Sequence, residues 1–163
     1  MLIFMVEVKL LVLLVVANGA PIVTKKLLGK YGAWPLDFNR KLADGQPLLG
    51  HSKTLRGLLS AIGAAAIVAP HLGWSWTTGA LFGVAAMMGD LVSSFIKRRR
   101  KLTPHSMALG LDQIPESLLP CLAVKSVLSL SWSTIGIVVV IFFVGELLLS
   151  QLLYKLNIRD RPY

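Results

Sequence analysis

Apolar residues fall in five long blocks, at Leu2–Val23, Leu55–Leu72, Trp74–Ile96, Leu111–Leu130 and Trp132–Tyr154. The spacing inside them is neither alternating nor amphipathic. Blocks of about 20 residues match a hydrocarbon layer roughly 30 Å thick, at about 1.5 Å rise per residue. The pattern predicts an all-α integral membrane protein with about five transmembrane helices. Residues 1–163 are expected to form one transmembrane domain with cytoplasmic polar loops at 25–54 and 97–111. The fourth block is the least regular, because Pro115, Glu116, Pro120 and Lys125 interrupt it. A cleaved signal peptide competes for the first block, since Ala17-Asn18-Gly19-Ala20 has small residues where a peptidase cuts. No basic stretch precedes that block, which favours a retained helix.

Composition agrees with the pattern. The chain is 55% hydrophobic and 15% charged, against about 25% charged in soluble domains. Its net charge of +9 would point to nucleic acid in a soluble protein. Here the basic residues sit between apolar blocks, so topology explains them and no nucleic-acid partner is expected. Lys25, Lys26, Lys30, Arg40, Lys41 and Lys53 fill the first loop, Lys97–Lys101 open the second, and Lys155, Arg159 and Arg161 lie in the tail. Pro70–Thr78 and Ser129–Thr134 carry no charge. The positive-inside rule then puts the N-terminus outside and both loops and the C-terminus in the cytoplasm of a multi-pass cell-membrane protein. Trp74, Trp76 and Trp132 fall at the outer boundary, where aromatic belts form. The single cysteine, Cys121, reads as a small packed hydrophobe.

Ionisable residues inside a bilayer are costly and mark function. Asp90, Asp112, Glu116 and Glu146 are such residues. Ser94 and Lys97 follow Asp90 on one helical face. Asp90 and Asp112 flank one short basic loop, a combination that suits Mg²⁺ and a polyphosphate. His51, His71 and His105 lack zinc-ligand spacing. Gly50-His51-Ser52-Lys53-Thr54 is not a Walker A loop, since its first glycine is misplaced and no strand precedes it. It still brings Lys53 and Arg56 to a helix start, where anions bind.

Leu36-Asp37-Phe38, Asp44-Gly45 and Lys53-Thr54-Leu55-Arg56-Gly57 together resemble the first cytoplasmic loop of CDP-archaeol synthases. The run from Gly89-Asp90 through Ser94 to Lys97-Arg98-Arg99, followed by Leu111-Asp112-Gln113, resembles their second. It is also similar to the C-terminal signature of CDP-diacylglycerol synthases. Asn18 and Pro21 look like the family's Asn-x-x-Pro. Gly50-His51-Ser52 departs from the Gly-Asp-Gly of archaeal relatives, which bears on the lipid more than on the chemistry.

The resemblance implies cytidylyl transfer from CTP to a lipid phosphate, with Mg²⁺, giving a CDP-lipid of archaeol or diacylglycerol type and pyrophosphate. It implies Asp90 and Asp112 as metal ligands and catalytic residues together with Lys97. Lys53, Arg56 and Arg98 are the expected phosphate contacts, and Ser94, Asp44 and Asn18 nucleotide or supporting residues. The partners are CTP, a lipid phosphate and membrane lipids; oligomeric state stays open, a homodimer included. The alternatives are a CTP-dependent lipid kinase and a non-enzymatic small transporter or assembly subunit.

Overall fold

A computed structural model describes residues 2–102 and 108–155, with side chains from 5 to 151 within those ranges. His105, Arg159 and Arg161 lie outside the described residues. The described residues form five helices: α1 (Leu2–Leu28), α2 (Leu55–His71), α3 (Trp76–Arg99), α4 (Gln113–Ala123) and α5 (Trp132–Lys155).

The five-helix expectation holds, and the helices are unequal. Met5–Leu28, Trp76–Arg99 and Trp132–Gln151 are long and apolar enough to cross a membrane. α2 has 17 residues and α4 only 11, so α4 is about 16 Å long, roughly half the hydrocarbon thickness. The fourth apolar block therefore forms a short helix that breaks into turns before Leu130. Pro120, inside α4, lacks the amide N–H that would extend the ladder to Glu116. Lys125 then turns outward over the ring of Trp132, 4.8 Å from its centre.

Side chains at the helix ends satisfy the exposed backbone groups. Thr54, Ser75 and Ser131 accept hydrogen bonds from Gly57, Thr78 and Thr134 at the starts of α2, α3 and α5. Lys25 and Lys26 end α1, and Lys97, Arg98 and Arg99 end α3, where cations oppose the helix dipole.

Small residues bring the helices together. A side chain on Gly79 would meet the carbonyl of Ala65 and come within 2.6 Å of the Ala69 methyl, so α2 and α3 pack backbone to backbone. Gly89 does the same for α3 and α4, facing the Pro115 carbonyl and the Glu116 amide. The core of Leu10, Leu13, Leu14, Phe82, Cys121, Val124 and Val138 joins α1, α3, α4 and α5. α1 is thus built into the core, and Cys121 is the packed hydrophobe its setting predicts. The charges inside the first block are also accounted for. Buried Glu7 accepts a hydrogen bond from Thr134 at 3.1 Å, and Lys9 lies over Trp74.

Candidate active site

The segment between α1 and α2 folds back onto the helix ends. Leu36 N–H donates to the Lys53 carbonyl at 2.8 Å, and Leu55 N–H to that of Trp34 at 2.9 Å. Asp37 organises its centre. Its buried carboxylate accepts from the amides of Asn39, Leu49 and Gly50 at 2.9–3.0 Å. Burial alone would raise this carboxyl, but the three donors outweigh it and hold the group below the ordinary carboxylate range. Gly50, at φ +96°, has its α-carbon turned toward buried Arg98. A side chain there would both strain the turn and approach the guanidinium.

This folding puts Lys53, the residue before the α2 cap, against α3. Its ammonium lies 2.6 Å from both oxygens of Asp90. α4 adds buried Glu116, whose carboxyl lies beside that of Asp90, with Glu146 of α5 and Lys53 close enough to act on its charge. A second pair forms two turns further along α3, where Lys97 lies 2.7 Å from Asp112. The other Asp112 oxygen accepts from the Ala108 amide at 3.2 Å. The two predicted carboxylates thus each have their own lysine, and the carboxyl beside Asp90 is that of Glu116.

The remaining expected residues divide. Arg98 is buried and donates to the Leu102 carbonyl at 2.9 Å. Ser94 is buried on the same helix. Asn18 keeps a buried amide nitrogen without a hydrogen-bond partner, one turn before Pro21. Arg56 grips the carbonyls of Gly29 and Tyr31, closing the end of α1. Asp44 pairs with Arg99, which also donates to the Pro47 carbonyl at 2.6 Å and so clasps the loop to α3. The Gln46 amide, then the Arg99 charge, hold Asp44 below the usual carboxylate range.

Two cavities meet here and share Pro21, Ser52, Thr54 and Gly57. One has apolar walls of Leu36, Leu58, Met87 and Leu91, with the Lys53–Asp90 pair at its polar end. The other is basic, lined by Lys25, Lys30, His51 and Arg56. Among the sequence candidates, Lys25, Lys30, Asp37 and Glu116 were not assigned to the site. The lysines read as topology signals, and the place of Glu116 beside Asp90 comes from the α3–α4 crossing.

A model of the family described as "CarS-like: CDP-archaeol synthase" matches residues 71–163. A CDP-archaeol synthase of Sulfurisphaera tokodaii is 39% identical over 155 residues, covering 91% of this chain and 89% of the relative. The chain belongs to the CDP-archaeol synthase family. A family member from Sulfolobus acidocaldarius is 34% identical, with 91% of each chain covered. A solved structure of an intramembrane enzyme for archaeal membrane lipid biosynthesis superposes with a TM-score of 0.73, at 26% identity, over 86% of this chain and 89% of that one. The protein is an integral membrane enzyme with the fold of its family.

The donors here suit Mg²⁺. They are hard carboxylate oxygens, those of Asp90 and Asp112, each faced by a lysine ammonium at this end of the bundle. Among the described residues no three His, Cys, Asp or Glu side chains converge on one point. A cation held here would therefore take its remaining ligands from phosphate oxygens and water, the usual arrangement for Mg²⁺ with nucleotides.

Proposed function

We propose that this chain makes CDP-archaeol by moving the cytidylyl group of CTP onto the phosphate of an archaeol-type lipid. A lipid phosphate oxygen attacks the α-phosphorus of CTP. The bond to the β-phosphate breaks, and pyrophosphate leaves. The nucleophile is already ionised at neutral pH, so no general base is required. The barrier is mostly repulsion between anions, which positioned cations lower.

The observation that carries this reading is the Lys53–Asp90 pair at the polar end of an apolar cavity. Such a cavity accepts the proximal lipid chains while the phosphate meets Lys53. The adjoining basic cavity suits the triphosphate through Lys25, Lys30 and Arg56. Asp90 and Asp112 would hold Mg²⁺, which when bound neutralises phosphate charge. Lys97 and Arg98 neutralise the departing pyrophosphate. Ser94 and Asn18 are polar supports for the nucleotide, and Asp44 acts through the loop that it clasps to Arg99. This end of the bundle faces the cytoplasm, where CTP is found, on the strength of its basic residues.

The test uses purified protein in vesicles with Mg²⁺, α-³²P-labelled CTP and a panel of ether- and ester-linked lipid phosphates. Label in a CDP-lipid with matching pyrophosphate release is the expected result, strongest with archaeol phosphate. Release of CDP would identify a lipid kinase, and absence of turnover a non-enzymatic role.

A further inference from the structure

The segment that carries Lys53 also presents three aromatic side chains to the outside. Tyr31 is 84% exposed, Trp34 68% and Phe38 80%. They lie within eight residues, immediately after α1. Exposed Lys25, Lys26, Lys30, Arg40 and Lys41 surround them in the sequence. Phe38 and the following Asn39 both adopt positive φ, +48° and +58°. For a residue with a β-carbon this conformation is unfavourable, and the three hydrogen bonds to Asp37 stabilise it. The fold thus maintains a strained turn whose result is a largely exposed phenyl ring.

The depth of these residues follows from their backbone ties. Arg56, in the first turn of α2, holds the Tyr31 carbonyl. The Leu55 amide, at the first residue of α2, holds the Trp34 carbonyl at 2.9 Å. Both aromatics are therefore fixed level with the start of an apolar helix, where hydrocarbon gives way to headgroups. α1, with 27 residues, is about 40 Å long. That exceeds the hydrocarbon core and approaches the thickness that includes the headgroups, so its exposed last turn emerges among them. Aromatic rings interleaved with lysine and arginine at this depth match the chemistry of an anionic bilayer interface.

We propose that Tyr31, Trp34 and Phe38 form an interfacial anchor. It seats the 29–54 segment in the headgroup layer of an anionic leaflet, with Lys26, Arg40 and Lys41 against lipid phosphates. Lys53 is thereby held at the level of a membrane-borne phosphate, so the lipid reaches the site without leaving the bilayer. The last step rests on the proposed cytidylyl transfer; the seating itself does not.

A protein with Trp34 as its sole tryptophan, made by changing Trp74, Trp76 and Trp132 to Phe, is placed in phosphatidylglycerol vesicles. Acyl chains brominated near the headgroup should quench its fluorescence strongly, and aqueous iodide weakly. Quenching by iodide alone would put the ring in water. Quenching by neither would mean that protein covers it, a second copy included. Either result overturns the anchor, and neither measurement needs turnover. A second arm keeps all other tryptophans and combines Tyr31→Ser, Trp34→Ser and Phe38→Ser. KM for a long-chain lipid phosphate in vesicles should rise about tenfold, with KM for CTP and turnover of a soluble short-chain lipid phosphate unchanged. Equal losses on both lipids would refute delivery by the anchor, and an inactive parent with the quenching intact would refute only the enzymatic reading.

Discussion

Lys53 and Asp90 show how one contact joins the loop to the membrane core. The pair is about a fifth exposed, with side-chain values of 22% for each partner. Removing one partner leaves a partly desolvated charge, whereas removing both does not. Lys53→Met and Asp90→Asn should each lower thermal stability in detergent, and the double variant should lose less than their sum. A coupling of about 1–3 kcal/mol is expected from the cycle, and additive losses would show the pair to be incidental. In activity, Asp90→Asn and Asp112→Asn should each reduce Mg²⁺-dependent CDP-lipid formation more than about 100-fold, about 2.7 kcal/mol of transition-state stabilisation. A loss under tenfold in either would remove that residue from the metal site. Asp37 gives a prediction in pH. Its folded pKa is depressed, so its contribution is present above the ordinary carboxylate range and lost as pH falls through the lower folded value. The protection factors of the Leu49 and Gly50 amides should therefore fall in acid. Asp37→Asn should show weak protection at every pH, and full protection in that variant would contradict the role.

At the level of elements, glycines decide how α3 meets its neighbours. A β-carbon on Gly89 would lie 2.7 Å from the Glu116 amide, closer still to the Pro115 carbonyl. Gly89→Ala should push α4 from α3, cost about 1–3 kcal/mol and separate Glu116 from Asp90. Gly136, in the second turn of α5, has nothing within 4 Å of where its β-carbon would be. Gly136→Ala should be neutral or stabilising by up to about 1 kcal/mol. Melting temperature and activity measured side by side separate these cases. Equal behaviour would mean that the crossing does not depend on close backbone approach. α4 itself is a lesson in limits. Its sequence is apolar enough to read as a span, yet Pro120 and Lys125 end it early.

For the whole molecule, basic residues gather at the end where α1 and α3 finish and α2 and α4 begin. At the other end the α2–α3 turn is uncharged and the α4–α5 turn carries Lys125 alone. This asymmetry predicts sidedness, testable by cysteine labelling because native Cys121 is fully buried. An impermeant maleimide added to intact cells should label Ser133→Cys and not Arg40→Cys. Inverted vesicles should give the opposite pattern, and a reversed result in both would place the site outside.

The sequence by itself determined the class of the protein, because a bilayer admits few solutions for long apolar blocks. Carboxylates near the membrane face, beside a run of five basic residues, marked where a cation and phosphates would be held, and the resemblance to a family named the reaction. Asp90, Asp112, Lys53 and Lys97 stood out as candidates for that reason. Tertiary structure decided which lysine faces which carboxylate, since Lys53 and Asp90 are 37 positions apart and meet only through the folded loop. It decided that Arg56, Asp44 and Arg99 hold the loop in place, because their partners are backbone carbonyls or distant charges that no spacing encodes. It also brought Glu116 beside Asp90. The absent side chain of Gly89 permits that approach, and a contact made by an absence has no signature in a single sequence.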